Sequence, residues 1–210
     1  MSVRVLITGF EPFGGDTANA SGQAVLRLAR RFDDPDLELV HAVIPVSFLG
    51  GPEALRRLIA EHDPDVVVAV GEAGGRSAVT PEQWAVNEQV ARIPDNDGAQ
   101  PSGPIDTRPQ RLASRLDVDA LVAAVLQAGI PAESSQDAGA FVCNAVFRAA
   151  LTGFDGPAGF VHVPAVREGG AATVGAETDA KAPVQSGLTF DDLATALEAI
   201  VRASVVSHGF

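Results

Sequence analysis

Asp65-Val66-Val67-Val68-Ala69-Val70 is the stretch that decides the fold, because an apolar, mostly β-branched run follows its aspartate and ends at Gly71. A run without polar interruptions is typical of a strand buried on both faces, as in parallel sheets that helices cover on each side. Residues 3–8 have the same character and are closed by Gly9, and residues 37–44 predict a further strand. The chain therefore supplies strands for a central, buried sheet.

Helical patterns alternate with these strands. Asn19 or Ser21 can cap a helix with one apolar face, and residues 52–62 repeat apolar positions at helical spacing after a proline in the first turn. Thr189 begins a capping-box pattern that predicts the last helix. This alternation predicts an α/β fold: a single three-layer α/β/α domain over residues 1–210, with a mainly parallel, mixed-edge central sheet.

The composition limits the possible partners. The 210 residues include 27 acidic and 15 basic side chains, a net charge of −12, which argues against nucleic acid or an anionic membrane as a partner. A single cysteine excludes an intrachain disulfide, and no histidine or carboxylate pair has the spacing of metal ligands. We therefore expect no metal and no cofactor. With no signal-peptide pattern and no apolar run of ~20 residues, we predict a cytoplasmic protein.

Cys143 is the first candidate for chemistry. The pattern places it in the first turn of a helix, after a glycine-containing loop, where the helix dipole favours a thiolate. A lone cysteine is also commonly a small buried hydrophobe, so its type leaves both interpretations open. His162 lies near the C-terminal end of another predicted strand, where it is either a base for the thiol or a structural histidine.

Residues 9–16 and 71–80 follow predicted strands, and ligands bind beyond strand ends in open α/β sheets. The loop of residues 9–16 holds Phe10 and Phe13, which either form a site for a flat, uncharged ligand or anchor the loop to the core. It lacks the lysine of a phosphate-binding loop. Residues 94–110 are rich in Pro, Gly and Asp and are predicted to lie over the surface or near a site.

Five blocks occur in order along the chain: Gly9-Phe10-Glu11-Pro12-Phe13-Gly14-Gly15, Gly71-Glu72-Ala73-Gly74-Gly75-Arg76, Ala91-Arg92-Ile93-Pro94-Asp95-Asn96, Gly139-Ala140-Phe141-Val142-Cys143-Asn144 and Phe160-Val161-His162-Val163-Pro164. Together they resemble the pyroglutamyl peptidase I (pyrrolidone-carboxylate peptidase) family of cysteine peptidases. The resemblance extends over nearly the whole chain.

The resemblance implies removal of N-terminal 5-oxoproline (pyroglutamate) from peptides through an acyl-enzyme. It assigns Cys143 as the nucleophile, His162 as the general base and acid, and Glu82 as the acid that orients the histidine. Arg92 could support the backbone N–H groups that stabilise the oxyanion. The substrate-binding residues implied are Phe10, Phe13, Asn19, Glu72, Ile93, Phe141 and Val142. The family commonly forms homotetramers, so a homo-oligomer is expected.

Some positions depart from the family pattern. Glu72 stands where the family usually has Gln or another neutral residue, and a carboxylate beside a neutral lactam is costly unless it faces solvent or is protonated. The segment after Pro164 also differs. These departures motivate an alternative hypothesis, a catalytically impaired homologue that binds pyroglutamyl or related lactam ligands without useful turnover. A third possibility is the same chemistry on a related lactam or amide.

Overall fold

The computed structural model describes residues 2–167, 171–172, 182–183 and 186–209. Its sheet strands and short pairings are β1 Val3–Phe10, β2 Leu37–Ile44, β3 Val66–Ala73, β4 Thr80–Pro81, β5 Trp84–Val86, β6 Gln89–Val90, β7 Ser102–Gly103, β8 Arg111–Ala113, β9 Ala158–Pro164, β10 Ala171–Ala172 and β11 Ala182–Pro183. Its helices are α1 Ala20–Arg31, α2 Gly50–His62, α3 Val118–Gln127, α4 Val142–Gly153 and α5 Phe190–Val206.

The central sheet has five strands in the order β2-β1-β3-β9-β4. The first three pairings are parallel, and the two-residue strand β4 lies antiparallel to β9 at one edge. The prediction of an α/β fold with a mainly parallel, mixed-edge sheet is therefore confirmed. β1 and β3 each run beyond the apolar stretch that predicted them, to Phe10 and Ala73, and these extensions carry site residues.

Helices cover the sheet on both faces. One core cluster joins the sheet to α1, α3 and α5, and the other joins it to α2 and α4. Side chains alternate between these clusters along β3: Val68 and Val70 face α1 and α5, whereas Val67 and Ala69 face α4. Asn19 caps α1 and Thr189 forms the predicted capping box of α5.

Three segments between the main elements contain short pairings. The sequence of residues 84–93 predicts an extended segment with polar interruptions, and the structure has two short strands there, since β5 pairs with β8 and β6 pairs with β7. Residues 132–136, for which the sequence indicates a short strand, make only isolated bridges to residues 79 and 82. The sequence of residues 167–187 predicts a loop, but β10 pairs with β11 within it; the remainder of that segment, except 167, 186 and 187, lies outside the described residues.

The segment of residues 94–110 is tied down at both ends. Asp95 accepts the backbone N–H groups of Asp97, Ala99 and Phe48 through its carboxylate, at 2.8 to 3.0 Å. At the other end, the buried Arg148 of α4 makes a bidentate ion pair with Asp106, with both N–O distances 2.8 Å. Within the described part of the chain, no helix is long and apolar enough to cross a membrane.

Candidate active site

Cys143 lies in the first turn of α4, as predicted. Gly139, with φ of 73°, makes the turn that precedes the helix, and Phe141 is the N-cap residue and provides no side-chain cap. The first backbone N–H groups of a helix have no intrahelical acceptor, so this turn presents hydrogen-bond donors beside the thiol.

The thiol sits directly over the C-terminal end of β3. A Cβ atom built on Gly71 would lie 2.8 Å from Sγ of Cys143, so the sulfur occupies the space that a side chain at this position would take. In the parallel pairing of β3 with β9, Gly71 is the partner of His162. Partner residues of neighbouring strands point to the same face, so the thiol and the imidazole share the α4 face of the sheet.

His162 is held by contacts on two sides. Its Nδ1 lies 2.7 Å from Oε1 of Glu82, and its ring packs edge-on against Phe160 with ring centroids 4.9 Å apart. An ionised carboxylate only accepts hydrogen bonds, so Nδ1 carries a hydrogen; in the neutral tautomer with this hydrogen, the lone pair is on Nε2. Glu82 is completely buried, whereas an isolated glutamate in a loop is ordinarily a surface residue. The edge strand β4 brings it beside β9, and its backbone N–H donates to the carbonyl of Phe160.

Arg76 is a residue of the site that sequence reasoning left without a role. Its Nη1 lies 2.6 Å from Oε1 of Glu82 and also donates to the hydroxyl of Thr80, and its Nη2 donates to the carbonyl of Asp137 at 2.8 Å. Arg76 thus joins the glutamate to the loop that leads to Cys143. Its position in a glycine-rich block after a strand was the only signal in the sequence.

The two acidic groups have pKa values shifted in opposite directions. Burial alone would raise the pKa of Glu82, but the hydrogen bond and charge of His162, with the charge of Arg76, lower it below the ordinary value. Burial, followed by the charge of Glu82, raises the pKa of the Cys143 thiol to about 12. The helix start was expected to favour the thiolate, but burial and the nearby carboxylates outweigh it. The resting thiol is therefore protonated at neutral pH.

Asn144, the residue after the thiol, fixes the start of α4. It is fully buried, its Oδ1 accepts the backbone N–H of Val86 at 2.9 Å, and its Nδ2 donates to the carbonyls of Val86 and Glu88 at 3.0 and 2.8 Å. Both N–H groups of Nδ2 and the oxygen Oδ1 are therefore engaged in hydrogen bonds. The first turn of the helix therefore has a defined position relative to β5.

A pocket opens beside the thiol, with an empty volume of about 490 Å³ that includes its solvent-open mouth. Its lining residues are Phe10, Phe13, Asp16, Ala18, Asn19, Val46, Glu72, Phe141, Val142, Cys143 and Arg167. Phe141 packs against Phe13 with ring centroids 5.4 Å apart and against Phe48 at 4.9 Å. The pocket is mainly apolar with a few polar groups, the usual character of a small-molecule site.

Six of the seven substrate-binding residues implied by the resemblance line this pocket. The exception is Ile93, which is half-buried but outside the lining. Arg92 is exposed and also outside it, and its backbone carbonyl accepts a hydrogen bond from Gln100. The role of Arg92 as oxyanion support stays a prediction.

Glu72 does not face solvent, which is one of the two alternatives considered from the sequence, since its side chain is 8% exposed. Its carboxylate makes a bidentate ion pair with Arg167, with distances of 2.5 Å from Nη2 to Oε1 and 2.8 Å from Nη1 to Oε2. Oε2 also accepts the backbone N–H of Ala20 at 2.6 Å. The arginine comes from the segment in which the chain departs from the family pattern, and nothing in the sequence linked it to Glu72.

No group of three or more His, Cys, Asp or Glu residues within the described ranges could hold a metal ion. The candidate site is therefore built from a thiol, an imidazole, a buried carboxylate and a largely apolar pocket. A family model described as Pyroglutamyl peptidase matches residues 3–203.

Curated relatives agree with the family model. A pyrrolidone-carboxylate peptidase of Clavibacter michiganensis subsp. michiganensis is 43% identical over 209 residues, which cover 97% of this chain and 93% of the relative. Another, from Streptococcus pyogenes serotype M3, is 36% identical over 214 residues with the same coverage of each chain.

Solved structures show the same fold. The pyroglutamyl peptidase I of Bacillus amyloliquefaciens superposes with a TM-score of 0.85 at 35% identity, covering 97% of this chain and 95% of that one. A mutant pyrrolidone carboxyl peptidase of Pyrococcus furiosus gives a TM-score of 0.86 at 30% identity, covering 98% and 100%. The fold and the comparisons together define a peptidase of the α/β class. The chain belongs to the pyroglutamyl peptidase family.

Proposed function

We propose that this protein removes N-terminal pyroglutamate from peptides with Cys143 as nucleophile, His162 as general base and acid, and Glu82 as the residue that orients the histidine. The observation that carries the proposal is the buried 2.7 Å contact between Glu82 and His162, one strand away from the glycine over which the thiol lies. A base oriented by a buried carboxylate, on the same face of the sheet as a thiol, supports the assignment of an activated nucleophile.

The first half of the reaction begins from a protonated thiol. Nε2 of His162 takes the proton of Cys143 as Sγ attacks the carbonyl carbon that joins the pyroglutamyl group to the next residue. The imidazolium is stabilised by the ionised Glu82, whose lowered pKa keeps it charged at neutral pH. Backbone N–H groups of the first turn of α4 are the candidate donors for the oxyanion that develops.

The second half of the reaction regenerates the thiol. The C–N bond breaks, the proton on His162 goes to the leaving amine, and the pyroglutamyl group stays on Sγ as a thioester. A water molecule then gives a proton to His162 and attacks the thioester carbon. The C–S bond breaks, pyroglutamate leaves as the acid and loses its proton to solvent, and the thiol is restored with the proton that His162 holds.

The pocket suits the ring of the substrate. Phe10, Phe13 and Phe141 supply apolar walls for a flat, uncharged lactam, and burial of such a ring is favourable without a charged anchor. Free N-terminal glutamate carries a carboxylate that these walls would leave unpaired. The hypothesis of an impaired homologue rested first on the cost of a carboxylate at position 72 beside a neutral lactam. The pairing of Glu72 with Arg167 reduces that cost.

Hydrolysis of a pyroglutamyl-coupled chromogenic amide tests the proposal. We expect release of the chromophore by the intact protein, no release by Cys143→Ala, and loss of release after thiol alkylation. Full activity of the Cys143→Ala protein would exclude the nucleophile assignment. Calorimetric binding of 5-oxoproline without turnover across a pH series would instead support the impaired homologue.

Assembly and compartment are also proposals. A homotetramer and a cytoplasmic location follow from the family resemblance and the composition. Light scattering of the purified protein would give the mass of the assembly, and a mass of one chain at micromolar concentration would contradict the oligomer. Fractionation of cells that express the protein would test the compartment.

A further inference from the structure

The polar end of the pocket is a charged cluster that the proposed chemistry does not use. Arg167 bridges the carboxylates of Glu72 and Asp16, with Nη2 2.5 Å from Oε1 of Glu72 and 2.9 Å from Oδ2 of Asp16. All three side chains are more than nine-tenths buried, and all three line the pocket. The two carboxylates keep the guanidinium charged: although burial alone would lower the pKa of Arg167, they raise it above its ordinary value.

Arg167 pairs with both oxygens of the Glu72 carboxylate. Oε1 of Glu72 accepts from Nη2, and Oε2 accepts from Nη1 and from the N–H of Ala20 in the first turn of α1. Both oxygens therefore have charged or dipolar partners before any substrate enters. Without the arginine, a buried carboxylate would line the pocket and require another cation.

One natural N-terminal residue could provide that cation. The ring of an N-terminal proline has the size of the pyroglutamyl ring, but its nitrogen is a secondary ammonium where the lactam has a neutral amide. An unpaired Glu72 would attract this ammonium, since an opposite charge within a few ångströms stabilises it in a site away from water. A neutral lactam would gain no such interaction and would leave the carboxylate unpaired.

We propose that Arg167 is a specificity-determining residue that neutralises Glu72 and so keeps the pocket selective for the uncharged lactam over the cationic ring of N-terminal proline. The inference rests on the proposed function, because it concerns the ring-binding end of the same pocket. It assigns a role to an ion pair that replaces the neutral residue expected at position 72.

The selectivity ratio of kcat/KM for pyroglutamyl over prolyl chromogenic amides tests the proposal. In Arg167→Gln, which loses the positive charge, we expect the ratio to fall about tenfold or more, chiefly through KM. In the double variant Glu72→Gln with Arg167→Gln, in which Asp16 is the remaining charge of the cluster, we expect the ratio to recover most of this fall, because the carboxylate of Glu72 is gone. Arg167→Lys, which keeps the positive charge, should retain most of the parent's selectivity ratio.

A second measurement does not depend on turnover. Ring fragments that enter the pocket should slow alkylation of Cys143 by iodoacetamide, so protection by 2-pyrrolidinone and by pyrrolidinium reports the preference of the pocket. We expect 2-pyrrolidinone to protect the parent protein better than pyrrolidinium does. In Arg167→Gln this difference in protection should become smaller or change sign. If the parent protein hydrolyses neither amide, the proposed function fails while this measurement still tests the role of Arg167.

Arg27→Gln is a matched control, because it removes an arginine from an exposed ion pair with Asp191 far from the pocket. It should leave both the ratio and the protection unchanged. Circular dichroism and the melting temperature show whether each variant is folded. An unchanged ratio in folded Arg167→Gln, or an equal fall in the double variant, would overturn the assignment.

Discussion

At the scale of single residues, the surroundings of Cys143 favour a protonated thiol. The N-terminus of α4 favours a thiolate, but burial and the charges of Glu82 and Glu72 act in the opposite direction and raise the pKa of Cys143 to about 12. These effects favour a protonated thiol over a thiolate in the resting protein. In the proposed mechanism, proton transfer to His162 then accompanies the attack on substrate.

The first prediction concerns the pH dependence of thiol alkylation. A thiolate reacts and a thiol does not, so the rate of alkylation of Cys143 by iodoacetamide should rise continuously from about pH 7 to pH 10. The raised pKa places the end of this rise above that range. Stopped-time mass spectrometry gives the rate. A plateau that begins near pH 6 to 7 would show an ion pair in the resting state and would contradict the prediction.

The second prediction separates the two effects of Glu82. Glu82→Gln removes the charge that orients and stabilises the histidine, so kcat for the pyroglutamyl amide should fall on the order of 10²- to 10⁴-fold. The same change removes a negative charge near Sγ, so alkylation of Cys143 at a fixed pH should become faster. Glu133→Gln, an exposed carboxylate, is the control and should change neither rate. A parallel loss of both rates would indicate general damage to the site.

At the scale of elements, the site depends on what each strand places at its C-terminal end. Gly71 ends the apolar part of β3 and leaves room for the sulfur from α4, while its partner in β9 is His162. The short strand β4 then brings Glu82 to the other side of the histidine. Three elements that are distant in sequence converge because parallel strand ends share one edge of the sheet.

The third prediction concerns the glycine beneath the thiol. In Gly71→Ala the new methyl group would lie 2.8 Å from Sγ of Cys143 and 2.8 Å from Cζ of Phe160, so the thiol or the strand must move. We expect kcat to fall at least about tenfold, since small misplacements of a nucleophile are costly, and stability to fall by about 1–3 kcal/mol. Kinetics and urea unfolding measure the two effects.

Gly75→Ala is the matched control from the same segment. A Cβ atom at Gly75 would have no neighbour within 4 Å, so the substitution should leave kcat and the free energy of unfolding nearly unchanged. If Gly71→Ala behaved like this control, the thiol would not lie where the structure has it.

The sequence could predict the site only where a local pattern carried the signal. The apolar run before Gly71 predicted β3, and the capping pattern at Thr189 predicted α5, because both depend on neighbouring residues. The contact between Glu82 and His162 depends on a two-residue edge strand, too short to leave a periodic pattern, and became visible only through the family resemblance. Arg167 had no signal at all, because its partners come from the loop after β1 and from the end of β3.

At the scale of the whole molecule, a long segment whose one regular element is the two-residue strand β7 is anchored on α4. Residues 94–110 are joined to the body at Asp95 and at Asp106, and Arg148 is the residue of α4 that receives the second anchor. Arg148 is 1% exposed and its Nη1 has no hydrogen-bond partner in the described structure, so its charge is balanced by this single carboxylate.

The fourth prediction concerns this ion pair. Asp106→Asn leaves the guanidinium of Arg148 buried without a counter-charge, and we expect a loss of about 3 kcal/mol in the free energy of unfolding. Glu38→Gln, which breaks the exposed pair with Arg4, should cost less than about 1 kcal/mol. Urea denaturation of both variants gives the comparison. Equal losses would mean that the pair does not hold the segment in place.

The pH dependence of this contribution has a definite sign. The side chain of Arg148 lowers the pKa of Asp106 below its ordinary value, despite the opposing effect of burial. The contribution of the pair should therefore be complete above the ordinary pKa of an aspartate and be lost as pH falls through the lowered value. The difference in stability between the parent and Asp106→Asn should shrink in acid, below about pH 4.

The amide of Asn144 ties the first turn of α4, which carries Cys143, to the backbone of β5. By accepting from one backbone N–H of β5 and donating to the carbonyls of Val86 and Glu88, this side chain imitates a peptide unit of a neighbouring strand. The position of Cys143 is therefore fixed relative to β5 as well as within its own helix. A displacement of β5 would therefore also shift the sulfur, so the position of the thiol depends on the contacts that hold β5 in place.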